Sequence, residues 1–128
     1  MNQIIPDTNL LVYLAENKLF DELDNLGFQI LIPRIIDFEL EKLGSNKNFP
    51  LKTRDAANLA QTIIKKWVSM KKAKYLELEE NDADLAILHY AQKRKVFVAT
   101  MDKELTRNLK EVGVKVFGLR QGKFIDEK

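Results

Sequence analysis

With 128 residues, 45% of them hydrophobic and 31% charged, the chain has enough apolar side chains for one ordinary core and too little length for two. It contains no cysteine, which excludes disulfides, thiolate metal sites and cysteine nucleophiles and leaves oxygen ligands, or the single histidine, to hold any ion. A formal net charge of +2, from 21 basic and 19 acidic residues, permits nucleic-acid binding without requiring it.

The N-terminus lacks a basic region followed by an apolar core and a small-residue cleavage site, and no run approaches the ~20 apolar residues of a membrane span. A cytoplasmic protein with one domain over residues 1–128 is expected. Basic clusters at Lys65-Lys66, Lys71-Lys72-Lys74 and Lys93-Arg94-Lys95 each read as a solvated helix face.

Gln3-Ile4-Ile5 forms a short apolar strand that ends at Ile5 or Pro6, because proline cannot donate to a sheet ladder. Asp7-Thr8-Asn9 follows, and then Leu10, Leu11, Leu14 and Ala15 recur at helical spacing. Any of the three polar residues can accept from the free amides that open this helix. A short helix over 19–26 closes at Gly27, and Phe28 to Ile32 is a brief, nearly continuous apolar run that suits a buried strand. Pro33 fits the first position of a helix extending from Arg34 to Leu43, with Gly44 as a left-handed cap. On that helix Glu39 lies one turn from both Ile35 and Leu43, so an acid sits on the inward stripe.

Gly44 to Pro50 is rich in turn formers and forms a candidate mobile loop. The helix from Thr53 to Met70 carries a broad stripe of Ala56, Ala60, Ile63, Trp67 and Met70, widened by Ala57, Ile64 and Val68, which serves either a core or a dimer surface. Lys74 to Leu78 alternates weakly, as a short edge strand does. Asn81 is placed to cap a helix bearing Ala83, Ala86, Ile87, Tyr90 and Ala91, with Asp82 and Asp84 in its first turn. Val96 to Ala99 is the clearest strand; Thr100-Met101-Asp102 and a helix with Leu105, Leu109 and Val112 follow it, closed by Gly113. Val114 to Phe117 is a last strand, and residues 118–128 are a tail or an edge strand. Strands alternating with helices predict an α/β fold on a parallel sheet with helices on both faces.

Four carboxylates stand out by position: Asp7 and Asp102 at strand ends, Asp84 in a first turn, Glu39 on a mostly apolar face. Each Asp alone is explained by a helix cap or by the favourable field at a helix N-terminus. An unpaired buried Glu39 is harder to explain, because it is costly. If the first strand and the Val96 strand are neighbours at the point where strand order reverses, Asp7 and Asp102 face one crevice and Asp84 is brought to it. Carboxylates gathered so would repel one another unless a divalent cation neutralises them, and an oxygen-only set suits Mg²⁺ or Mn²⁺. Metal-activated water and charge stabilisation on a phosphoryl oxygen are the chemistry of phosphodiester hydrolysis. A Gly-rich phosphate loop and a G-x-S-x-G elbow are both absent, and His89 lies mid-helix as a surface or packing residue.

In this order and spacing, Asp7-Thr8-Asn9, Glu39-Leu40, Asp84 within Asp82-Ala83-Asp84-Leu85-Ala86-Ile87-Leu88, and Thr100-Met101-Asp102 resemble the motifs of PIN domains, over nearly the whole chain from Ile4 to Phe117. The resemblance implies an α/β/α sandwich with strand order 3-2-1-4-5 and Mg²⁺- or Mn²⁺-dependent cleavage of single-stranded RNA. It makes Asp7, Glu39, Asp84 and Asp102 the metal-binding and catalytic acids, with Thr8, Asn9 and Thr100 as supporting polar residues and Asp82 as an extra acid pointing away from Asp84. Lysines at the cleft rim would then grip the RNA backbone. The segment from Ile32-Pro33 to Gly44 and the final Val-Phe-Gly-Leu run are most similar to stand-alone PIN proteins of small-subunit rRNA processing. The alternatives are a toxin-type ribonuclease controlled by a protein antitoxin and a PIN scaffold of little turnover. Homodimers are expected from the Thr53 to Met70 stripe. Pro6 departs from the family's usual residue, and a strained or bulged peptide before Asp7 is expected from it.

Overall fold

The computed structural model describes residues 2–128. Strand β1 (Gln3–Pro6) leads to helix α1 (Thr8–Glu16) and the short α2 (Phe20–Asp24). They are followed by β2 (Gln29–Pro33), α3 (Arg34–Ser45), α4 (Leu51–Ser69), β3 (Ala73–Leu76), α5 (Ala83–Arg94), β4 (Phe97–Ala99), α6 (Lys103–Glu111), β5 (Val116–Arg120) and β6 (Phe124–Glu127). The six strands form one sheet in the order β3-β2-β1-β4-β5-β6, so the expected 3-2-1-4-5 order holds. All pairings are parallel except β5 with β6. The tail thus supplies an antiparallel edge strand, and β5 runs three residues past Phe117 before the turn. Gln121 and Gly122 both have positive φ, as a tight hairpin twisted with its strands requires.

The central strands are buried on both faces: Ile4, Ile5, Ile30, Leu31, Ile32 and Val98 are at most 1% exposed, which is why they read as apolar runs rather than alternating ones. Helices α1, α3 and α4 pack on one another, and α5 packs on α6, to give an α/β/α sandwich. In α4 the buried residues are Ala56, Ala57, Ala60, Ile64 and Trp67. The buried part of the long stripe is therefore core against α1, α3 and β3. Met70, counted in that stripe, is exposed. Among the described residues no helix is long and apolar enough to cross a membrane.

Several local expectations are corrected. Pro33 closes β2 and stands at the N-cap of α3 rather than inside it. Gly44 is helical, and its φ is not positive. Its lack of a side chain serves packing instead, since a Cβ there would fall 2.0 Å from Oδ1 of Asn58 on α4. The loop accordingly shrinks to residues 46–50 and is tied down, with Asn48 N–H donating to Asn46 Oδ1 at 2.9 Å and the Arg54 side chain donating to the Phe49 carbonyl at 3.1 Å. Asp82, not Asn81, caps α5. Pro6 causes no bulge: it pairs in register with Ala99 on β4, and the next residue, Asp7, donates its N–H to the Ala99 carbonyl at 3.0 Å. Residues alternate between neighbours along a strand, so the missing proline donor faces β2, whose pairing with β1 has already ended at Ile4 and Ile30. The ladder passes Pro6 regularly on the one side that needs it.

Candidate active site

Asp7 follows the last residue of β1, at the carboxyl edge of the parallel sheet where strand order reverses between β1's neighbours. Its backbone is extended and its Oδ1 accepts the Leu10 N–H at 3.0 Å, capping α1. Its Oδ2 accepts a short hydrogen bond from Thr100 Oγ1. The same Thr100 oxygen accepts the Asp102 N–H at 3.0 Å, so one hydroxyl ties the two strand-end acids together. Asp102 in turn caps α6 by accepting the Leu105 N–H at 2.9 Å.

Burial separates these acids. Asp7 is 8% exposed and Thr100 2%, whereas Asp84 and Asp102 reach the site from an exposed rim. Desolvation pushes the Asp7 carboxyl up from the ordinary 3.8 to about 6, against the lowering effect of its Thr100 and Leu10 hydrogen bonds, and the charges of Asp84 and Asp102 push it further the same way. Asp84 is raised too, first by burial and then by Asp102, Asp82, Glu39 and Glu104. Glu39 is half-buried, and Thr8 Oγ1 donates to its Oε1 at 2.5 Å, which fixes α3 against the start of α1. This is how a carboxylate on a mostly apolar helix is satisfied.

Asp7, Glu39, Asp84 and Asp102 line one cleft of about 530 Å³, together with Thr8 and Asn9. Thr100 stands behind Asp7 rather than in the lining. Asp82 stays outside: its side chain accepts the Leu85 N–H at 3.2 Å as a helix cap. Lys42, Asn46 and Phe49 also line the cleft and were not foreseen. Lys42 lies three residues beyond Glu39, on the same helix face, which is the signal that could have found it. Asn46 and Phe49 come from the loop whose turn-rich composition was visible. The basic clusters lie away from the cleft, as solvated helix ends do: Lys65, Lys66 and Lys71 end α4 or follow it, Lys72 pairs with Asp24 at 2.9 Å, and Lys93 to Lys95 end α5. These positions lie where strands β3 and β4 begin, at the opposite edge of the sheet from the acids. His89 is exposed and contacts Glu80 at 2.8 Å, as a surface residue.

The donor set suits a hard divalent cation, being all oxygen and mutually repelling. Among the described residues no group of three or more ligating side chains stands close enough together to be recognised as a preformed ion site.

A family model described as a PIN-like domain matches residues 4–122. Ribonuclease VapC4 of Methanocaldococcus jannaschii is 39% identical over 98% of this chain and 96% of its own length. Ribonuclease VapC9 of Archaeoglobus fulgidus is 30% identical over 93% of this chain and 84% of its own. Among solved structures, a domain of a functionally unknown protein from Methanocaldococcus jannaschii superposes with a TM-score of 0.66 over 94% of this chain and 92% of that one, at 16% identity, a likeness of fold alone. Strand order, the crevice at the reversal point and the family match agree: the chain belongs to the PIN-like domain family.

Proposed function

We propose that this protein is a divalent-metal-dependent ribonuclease of the toxin type, which hydrolyses phosphodiester bonds of single-stranded RNA and is restrained by a protein antitoxin. The observation that carries the reading is the convergence of Asp7, Glu39, Asp84 and Asp102 on one cleft with Asp7 at its buried floor. The names of the two relatives, both VapC ribonucleases, support a ribonuclease and favour the toxin type over a role in rRNA processing.

Asp7, Glu39, Asp84 and Asp102 are the residues that would hold Mg²⁺ or Mn²⁺. When bound, the ion supplies an activated water and neutralises charge on the phosphoryl oxygen. Thr100 holds Asp7 in place and Thr8 holds Glu39, so both inner acids keep fixed orientations. Lys42 is the single cation lining the cleft and is placed to meet a phosphate oxygen. An unpaired strand suits a crevice of this size, because its backbone can bend into the cleft and its bases can be splayed.

The test is cleavage of an unstructured RNA in Mn²⁺, followed by chelation. Cleavage that stops on chelation supports the reading; cleavage that continues in chelator, or no cleavage with either Mg²⁺ or Mn²⁺, overturns it.

A further inference from the structure

Beside the acidic cleft lies a second groove, of about 790 Å³, on the outer face of α6. Lys103, Arg107 and Lys110 line it, spaced i, i+4 and i+7, so they form one stripe about 10 Å long on the face opposite the buried Leu105 and Leu109. Lys128 completes it from the end of β6, its Nζ donating to the Leu119 carbonyl at 2.7 Å. Gly118 leaves the floor open for this lysine, since a Cβ there would come within 2.8 Å of the Lys128 Cε. None of these four cations takes part in an ion pair among the described residues, and one acid, Glu111, shares the groove with them.

The groove and the cleft share a wall. Thr100 lines the groove and hydrogen-bonds Asp7 in the cleft, and Lys103 directly follows Asp102. A phosphate chain entering the cleft meets four carboxylates and one cation of the protein, Lys42. Its flanking phosphates need compensation nearby, and the basic clusters that end α4 and α5 lie at the far edge of the sheet. Resting on the ribonuclease reading above, we infer that the α6 groove is the track for the RNA backbone on one flank of the scissile bond. Lys103, Arg107 and Lys110 neutralise successive phosphates, and the exposed Met101 offers an apolar contact to a base.

The three α6 cations are exposed, so a Lys103→Gln, Arg107→Gln, Lys110→Gln variant should fold as the parent does, which a melting curve checks. Binding of fluorescent oligouridylate is measured across a salt series in chelator. The control is Lys65→Gln, Lys66→Gln, Lys93→Gln, which removes the same charge from the opposite sheet edge. Three lost phosphate contacts should lower the slope of log affinity against log salt by roughly 2 in the groove variant and leave it unchanged in the control. With Mn²⁺ present, the groove variant should raise KM for oligouridylate more than it lowers kcat. Equal slopes for parent and groove variant overturn the inference while leaving the ribonuclease reading intact. A reduced slope in the groove variant, with a parent that cleaves no RNA, supports the groove and overturns that reading instead. Loss of binding to polyglutamate with RNA binding unchanged would make the groove a protein site and overturn the track.

Discussion

Asp7 and Asp82 perform the same local task and differ in everything else. Each stands at the N-cap of a helix with an extended backbone, and each accepts the N–H of the residue three positions on. Asp7, however, is set at the inner edge of a six-stranded sheet, where its N–H is spent on β4 and Thr100 closes over its second oxygen. Asp82 caps a helix that starts beyond the sheet, and water covers it. A cap therefore says nothing about function; the depth at which the fold sets it does. Asp102 is the intermediate case, a cap three residues beyond the end of β4 that reaches the cleft from the rim.

Substitution by Asn should separate the two residues most sharply. Asn caps about as well as Asp, so Asp82→Asn should change stability by no more than about 0.5 kcal/mol and leave cleavage near the parent's rate. Asp7→Asn should lower RNA cleavage by well over 100-fold, since loss of a mere supporting partner of a ligand already costs roughly 10–100-fold. The same variant should stabilise the metal-free protein at neutral pH. The folded carboxyl holds its proton up to about 6, against 3.8 ordinarily, so the folded state binds more protons between those values. The parent's stability therefore rises as pH falls through that window, and at neutral pH the buried charge costs on the order of 3 kcal/mol at most. Denaturant melts at neutral and mildly acidic pH, in chelator, check this: the gap between parent and Asp7→Asn should close as the pH falls. A gap that widened would mean that Asp7 is stabilised as an anion.

Thr100→Val sharpens the contrast from the other side, by removing the hydroxyl that closes over Asp7 and accepts from Asp102. Cleavage should fall roughly 10–100-fold with metal affinity weakened in parallel, readable in a Mn²⁺ titration; a fall without a change in metal dependence would detach Thr100 from the site. A smaller effect is expected on α3, on the side turned to α4. Gly44→Ala brings a Cβ onto the amide end of the exposed Asn58 side chain, which can turn aside, so it should cost no more than about 1 kcal/mol, and Gly44→Ala combined with Asn58→Ala should largely recover that. A failure of the double variant would mean that Gly44 is not a packing glycine.

Much of the architecture is legible in the chain because the central strands are short apolar runs and the helices carry clear stripes. What escaped was set by contacts between distant segments. Gly44 has the look of a helix cap, and only the approach of α4 explains it as a packing residue. The α4 stripe fits a dimer face as well as a core, since an apolar surface carries no record of what covers it. Pro6 looked disruptive because a proline interrupts a ladder; which neighbour its missing donor faces depends on register, and on that side the pairing of β1 with β2 has already stopped at Ile4 and Ile30. Asp7, Asp84 and Asp102 drew notice by their positions at strand and helix ends, and Glu39 by its place on a mostly apolar helix face. Lys42 was passed over because one lysine among 21 basic residues carries no signal until Glu39 is known to face a cleft. The basic clusters located no RNA track for the complementary reason: density of charge along the sequence does not say at which edge of a sheet the charges emerge.

The most direct measurement compares Asp84→Asn with Asp82→Asn, two residues apart on one helix, in Mn²⁺-dependent cleavage of single-stranded RNA. If the cleft acids hold the ion, Asp84→Asn abolishes cleavage at Mn²⁺ concentrations that saturate the parent, and Asp82→Asn cleaves as the parent does. Equal activity in both variants, or equal loss in both, would contradict a site built on Asp7, Glu39, Asp84 and Asp102.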